Sequence, residues 1–514
     1  MNLVPAVVWV GTTVNQRYKD VKKIGALATE AAAAAILIGK HSLAIEWLEQ
    51  GRSVVWNQLL QLRTPHDQLF IDHPTIAEEL KRISAELHAS DSLSSSLSWD
   101  FTPSHSLEAG VQRHHRLAEN YDQLLNKIRK LPGYADFIRP KSFSTLKSAA
   151  SDGPVIVVNI HGPHSDALVI SPERADIMHV PLLDWTSAAA DTACHQINSV
   201  LKSRGMGRGR DGFQRHFMVP DSEPESGNDL ETALYTLWVD VVHPILDSLG
   251  YLNPEKRSPL PHITWCTAGV MSFLPLHAAG NYSEGGPKTT DFVVSSYTPT
   301  LNALLPENTP VSLSPLRVLA VGQAATPGHA PLPATEREIS SIKDIIQAPN
   351  QITEIEDHNA TKQAVLAAME SHDWVHLACH AHQSIGDPEE SGFFLQDGTL
   401  SLATINKKQF KNKGLAFLSA CQTATGDESL PDEAVHLAAG MLTAGYPSVI
   451  ATMWSVMDSD APVVAEKVYS ELLKGEGMGR GAIARALDKA VAELRNQIGE
   501  DQFWRWVPYI HFGV

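Results

Sequence analysis

Trp374 to His382 reads WVHLACHAH, and further on Gly414 to Gly426 reads GLAFLSACQTATG. Each stretch opens on a short, mostly apolar run, Trp374 to Ala378 and Gly414 to Ala420, of the length and composition of a strand buried on both faces. Each then runs out into small and polar residues that carry one reactive group, His380 after the first run and Cys421 after the second. Strands buried on both faces belong to parallel sheets. In open sheets of that kind the ligand crevice lies outside the carboxyl ends of the strands. A His and a Cys at two neighbouring strand ends face one another across it, which is what nucleophilic catalysis needs: a thiol, and an imidazole able to take its proton. Cysteine needs less activation than serine, because its ordinary pKa is about 8.5.

Plainer readings compete. Cysteine is often a small core residue, and Cys379 reads that way. Strand alternation puts His376 on the same face as Ala378 and His380, where burial with a hydrogen bond suits it. His382 reads as loop or rim. His376, Cys379, His380 and His382, with Cys421, form a metal-site competitor. However, Leu377 stands where a zinc-protease helix carries its Glu, the segment reads as a strand, and no C-x-x-C pair occurs. No metal is expected. No phosphate-cradling G-x-x-x-x-G-K-[ST] loop occurs either, and no cofactor is expected.

Outward from these two stretches the chain alternates strands with helices. Pro154 to Ile160, Ala167 to Ser171, Pro261 to Cys266, Phe292 to Tyr297, Leu316 to Gly322 and Ser448 to Trp454 read as strands. Asp184 to Lys202, Asp229 to Leu249, Glu336 to Ile346, Thr361 to Ser371 (with Thr361 as N-cap), Ala434 to Ala444, Ala461 to Lys474 and Gly481 to Gly499 read as helices. The pattern implies a mostly parallel α/β sheet covered on both faces. It also looks doubled: a strand ending near His161 and a later one at Cys266 precede the pair ending at His380 and Cys421.

Before residue 136 the grammar is helical. Tyr18 to Ile38 and His41 to Arg63 read as an αα-hairpin, and Thr75 to His88, with Pro74 in its first turn, as a third helix. Ser90 to Ser106 reads as a polar linker, and Leu107 to Leu131 resumes the helical period until Pro132-Gly133 stops it.

The 514 residues imply two to four domains, and a net charge of 41 − 58 = −17 argues against a nucleic-acid or anionic-membrane partner. The most basic stretch, Lys202 to Arg215, reads as an exposed loop. Asp427, Glu428, Asp432 and Glu433 read as a solvated acidic loop. Four cysteines are no disulfide framework, and no apolar stretch reaches the roughly 20 residues that span a bilayer. A reducing, cytoplasmic setting is expected.

The segments HLACHA, FFLQDGTLSL, LAFLSACQTATGDE, LPDEAVHLAAGMLTAGYPSVIATMWSVMDSDAP and the closing WVPYIHFG resemble the CHAT domain, the caspase-like domain associated with TPR repeats, related to caspases and separase among the clan CD cysteine peptidases. The likeness is strong from Trp374 to Ser470 and runs more weakly back to residue 136. It implies a caspase-like α/β fold: a TPR-like helical region over 1–135, a pseudo-caspase half over 136–310 with His161 and Cys266, and an active half over 311–514. It implies a Cys–His dyad, Cys421 as nucleophile and His380 as proton carrier, with the backbone N–H groups of Ala381 and Cys421 binding the oxyanion. The family commonly has Gly where this chain has Ala381. The likeness also implies a P1 pocket with Asp458 or Asp460 as its acidic residue. Against that stands capping of the helix from Ala461, which suits Asp equally. The implied function is a regulated cysteine endopeptidase acting on protein substrates, with the N-terminal helices as a surface for a regulatory protein. The alternative is a catalytically silent interaction module on the same fold.

Overall fold

A computed structural model describes residues 1, 3–63, 67–95, 104–162, 164–206, 227–253, 259–267, 269–305, 316–347, 351–384, 390–408, 410, 412–420, 423–424, 433, 436–474, 479 and 481–514. Cys421, Asp427, Glu428, Asp432 and the basic stretch from residue 207 onward lie outside them.

The strands are β1 (Val155–His161), β2 (His164–Ile170), β3 (Met178–Leu182), β4 (His262–Cys266), β5 (Val294–Tyr297), β6 (Val318–Gly322), β7 (Ile352–Glu356), β8 (Trp374–Ala378), β9 (Ala381–His382), β10 (Gly392–Leu395), β11 (Gly398–Ser401), β12 (Leu415–Ser419), β13 (Ser448–Thr452) and β14 (Tyr509–Gly513). Eleven form one sheet in the order β3-β2-β1-β4-β5-β14-β13-β12-β8-β6-β7, and β11-β10-β9 form a small second one. The large sheet is mixed. Its pairs β1–β2, β2–β3 and β13–β14 are antiparallel, and the others are parallel. The fold class is therefore α/β, as expected. The interior pairs are parallel except β13–β14, and every residue of β4, β6, β8, β12, β13 and β14 is buried. The antiparallel hairpins sit at the β3 edge, where a sheet can meet water on one side.

Alternation along β1 sorts its side chains to two faces. Ile156 and Val158 join Trp185, Ile197 and the main core; Val155 and Val157 join Ala32, Ile36, Ile45 and Leu48 of the N-terminal helices. The helical region is thus packed on the sheet and shares a core with it. Its first helix is not continuous from Tyr18 to Ile38. It breaks into Val14–Ile24 and Leu27–Leu37 at Gly25, whose φ of 56° is left-handed and costs little without a Cβ. The helix that starts at Pro74 runs to Ser95, into the serine-rich stretch, and the next spans Ser104–Ile128.

β14 joins the two sides of the sheet. It runs parallel to β5 and antiparallel to β13. On one side lie β1–β5, from residues 155–297; on the other lie β13, β12, β8, β6 and β7, from residues 318–452. A buried polar chain crosses this joint. His262 Nε2 is 2.7 Å from Ser296 Oγ, which is 2.7 Å from His511 Nδ1; His511 Nε2 is 2.6 Å from Ser448 Oγ, which donates to the Val514 carbonyl at 2.6 Å. Among the described residues no helix is long and apolar enough to cross a membrane.

Candidate functional site

β8 and β12 lie side by side in parallel register, His376 beside Phe417 and Ala378 beside Ser419. β6 flanks β8 on its other side, with Gly322 beside Ala378, and Gln323 N–H donates to the Ala378 carbonyl at 2.9 Å. The loops after β6, β8, β12 and β13 therefore leave the sheet at one edge, where ligands of parallel sheets bind.

His380 lies there, 3 % exposed. Its Nε2 is 2.8 Å from the carbonyl oxygen of Ala330, in the loop after β6. A carbonyl only accepts, so Nε2 carries the proton, and Nδ1 is the basic nitrogen of the neutral ring. His329 stacks on His380 with ring centroids 5.1 Å apart and lies 4.2 Å from Phe394, which stacks on His382 at 4.9 Å. Burial holds His329 below the usual histidine range, and burial together with His329 does the same to His382. His382 is thus a member of this ring ladder.

Ala381 opens β9 and pairs with Phe393. Phe394 N–H donates to the His380 carbonyl at 2.8 Å, so His380 and Phe394 are a hydrogen-bonded pair of the antiparallel ladder. Bonded and non-bonded pairs alternate, so the Ala381 N–H turns away from β10. Ala381 is not among the residues with positive φ, and its methyl group meets no backbone strain.

Both flanks of position 421 are pinned to the end of β13. Thr452 Oγ1 donates to the Ala420 carbonyl at 2.9 Å, Thr452 N–H to Thr423 Oγ1 at 2.8 Å, and Ala424 N–H to the Thr452 carbonyl at 2.9 Å. Ala420 and Thr423 are fully buried.

Asp458 and Asp460 follow β13, and each has a protein partner. Asp458 Oδ2 accepts the Ala334 N–H at 2.8 Å, at the N-terminus of the helix Ala334–Ile346, where the helix dipole favours an anion. Asp460 takes Arg505 in a two-pronged bond, 2.8 Å to Nε and 2.5 Å to Nη2. That bond raises the pKa of Arg505. Asp460 directly precedes the helix Ala461–Lys474, yet its carboxylate turns to Arg505; Asp458 caps a helix more than a hundred residues earlier in the chain.

The remaining sites divide cleanly. His376 is fully buried, and its Nε2 is 3.1 Å from Glu338 Oε1. Cys379 is a buried member of the main core. Cys266 is buried in β4 and its thiol is pushed up to about 12 by burial, which keeps it protonated and inert. His161 closes β1 and is half-buried. Glu433, read as part of a solvated loop, is instead buried: Val54 N–H donates to its Oε1 at 2.7 Å. Its partner sits 379 residues away, so no local pattern announces it. The Ala330 carbonyl and His329 escape sequence reading for the same reason. Among the described residues no three His, Cys, Asp or Glu side chains converge as a metal would require.

A search of curated proteins finds no match. Among solved structures the chain is similar to the Arg-specific cysteine proteinase gingipain R (12 % identity over 53 % of this chain and 67 % of that one, TM-score 0.37). It is also similar to the Porphyromonas gingivalis RgpB complex of pro- and mature domains (11 %, 53 % and 69 %, TM-score 0.37). A third similarity is to the Saccharomyces cerevisiae separase–securin complex (11 %, TM-score 0.42), where it covers 98 % of this chain but 40 % of that one. The family model of the CHAT domain matches residues 231–514, over half of the chain and all of its second side of the sheet. With β8 and β12 ending abreast inside that match, the chain belongs to the CHAT domain family.

Proposed function

We infer that the protein is a cysteine endopeptidase with His380 and Cys421 as its dyad. The observation that carries this is the parallel register of Ala378 with Ser419, since each candidate follows its register partner by two residues. In this reading the Cys421 sulfur attacks the scissile carbonyl carbon while its proton passes to Nδ1 of His380. The oxyanion is held by the N–H groups of Ala381 and Cys421. Collapse expels the amine, which takes the proton back from His380, and leaves a thioester that water hydrolyses. The turn of the Ala381 N–H away from β10 and the anchoring of His380 by the Ala330 carbonyl support these roles. Residues 311–514 are the active half, 136–310 a silent copy, and 1–135 a TPR-like helical region available to a regulatory partner.

A basic P1 side chain is the preference this reading carries, through Asp458 or Asp460. A substrate arginine reaches either carboxylate by exchange with the Ala334 N–H or with Arg505.

The test is incubation with an arginine-based acyloxymethyl ketone and measurement of intact mass. One adduct is expected on the wild-type chain and none on Cys421→Ala. His380→Ala should slow labelling by about a hundredfold or more. A wild-type chain that never labels, or label that persists on Cys421→Ala, ends the reading and leaves a silent interaction module.

A further inference from the structure

The connection between two arm helices, His41–Gly51 and Val54–Arg63, touches both sides of the sheet within eight residues. Glu49 is buried and accepts the Leu301 and Asn302 N–H groups at 3.0 Å each, on the β1–β5 side. Arg52 is buried beside the Cys266 thiol at the end of β4. Ser53 holds a left-handed φ of 50° while only 3 % exposed, a conformation that persists in a residue with a Cβ only where its surroundings enforce it. Val54 and Val55 then give their N–H groups to Glu433 Oε1 at 2.7 and 3.4 Å, and Trp56 Nε1 donates to the Ala439 carbonyl at 3.1 Å. Trp56 belongs to the main core.

Glu433 lies between Cys421 and the helix Leu437–Ala444. The near end of that segment is tied at Ala420, Thr423 and Ala424 to Thr452, inside its own side of the sheet. Glu433 and Ala439 are tied to the arm, and the Ala438 N–H, in the helix that holds Ala439, donates to the Thr423 carbonyl at 2.9 Å. The carboxylate sits at the first turn of the helix Val54–Arg63, where unpaired N–H groups and the helix dipole hold an anion.

We propose that Glu433 is a positioning residue through which the helical arm, by way of the helix Leu437–Ala444, holds Thr423, two residues after Cys421. The proposal rests on the reading of Cys421 as nucleophile for its kinetic consequence, but not for the clasp itself. A partner that moves the 49–56 connection acts on thiol reactivity along this route.

The full-length chain tests it through Glu433→Ala, Glu433→Gln and Trp56→Phe. Hydrogen exchange is followed in peptides covering 49–60 and 420–436, and labelling of Cys421 by the arginine-based ketone is timed on the same samples. Glu433→Ala should speed exchange in both peptides together, leave the rest of the chain unchanged, and slow labelling about tenfold. Glu433→Gln keeps an acceptor oxygen and should recover most of the rate. Trp56→Phe, which removes the N–H together with part of the buried ring, should also loosen the same two peptides. Should Glu433→Ala fail to fold, the Gln and Phe variants carry the comparison. Exchange that rises in one peptide alone or throughout the chain overturns the clasp. Labelling that keeps its wild-type rate while both peptides loosen overturns the positioning role. If the wild-type thiol never labels, the peptidase reading is the one that fails. Joint loosening of the two peptides then still supports the clasp, and independent behaviour overturns it.

Discussion

An imidazole tied through Nε2 to a backbone carbonyl, as His380 is, carries its proton on that nitrogen when neutral, and its ring plane is set by the protein. Other histidines are held neutral by burial. His262, His277 and His436 are pushed down to about 4, and His511 to about 3, with His262 adding its repulsion to the last. In the unfolded chain all four titrate near about 6.5. Between that value and about 4 the unfolded state binds more protons, so folding stability is complete above pH 6.5 and falls as the pH drops. Burial raises Glu49, Asp240, Glu356 and Asp488, the last to about 6, which opposes this, while His41, His329 and His382 are lowered by burial and add to it, so the histidines outweigh the carboxyls. Urea midpoints should therefore fall steadily from pH 7 to pH 4.5, by a loss of the order of a few kcal/mol. His511→Asn should reduce the slope; a flat profile would refute the account. At this scale the sequence was legible where chemistry follows the strand period: His376 and Cys379 lie buried as alternation and composition require. It was silent on Ala330, His329 and Glu433, whose roles arise from contacts across 50 to 379 residues.

Elements were legible where a short pattern sets them. The apolar runs became β8 and β12, and Thr361 caps its helix by accepting the Ala364 N–H at 3.3 Å. Periodicity missed the break at Gly25, because a single glycine inside a good helical pattern reads as a tolerated cost and not as a stop. It also missed that the edge of the sheet is antiparallel, since pairing direction is decided between strands and not within them. Gly513 is the sharpest element-scale constraint. It has φ of 94° in β14, and an added Cβ would stand 2.1 Å from the Pro447 carbonyl oxygen. Gly513→Ala should lower stability by at least about 2 kcal/mol, read as a shift of the urea midpoint at unchanged slope. A variant with the wild-type midpoint would show that β14 has slack the geometry denies.

For the whole molecule, the arm and sheet share buried surface. Leu48, Ala32 and Ile36 pack on Val155 and Val157, and Trp56 sits in the main core. Two bodies so joined should unfold together. Denaturation followed by tryptophan fluorescence and by far-ultraviolet circular dichroism should give coincident transitions, and a separate early transition of helical signal would contradict the shared core. The strand between the two sides of the sheet was not legible in the sequence, because its neighbours are fixed by partners far away in the chain. That strand bears on how the protein is made. Among the described strands residues 509–513 come last in sequence, so β5 and β13 gain the strand that joins them only after the other described strands have been made. Until that strand pairs, the two sides have no sheet hydrogen bonds to each other, so each must hold its own shape while the seam between them stands open.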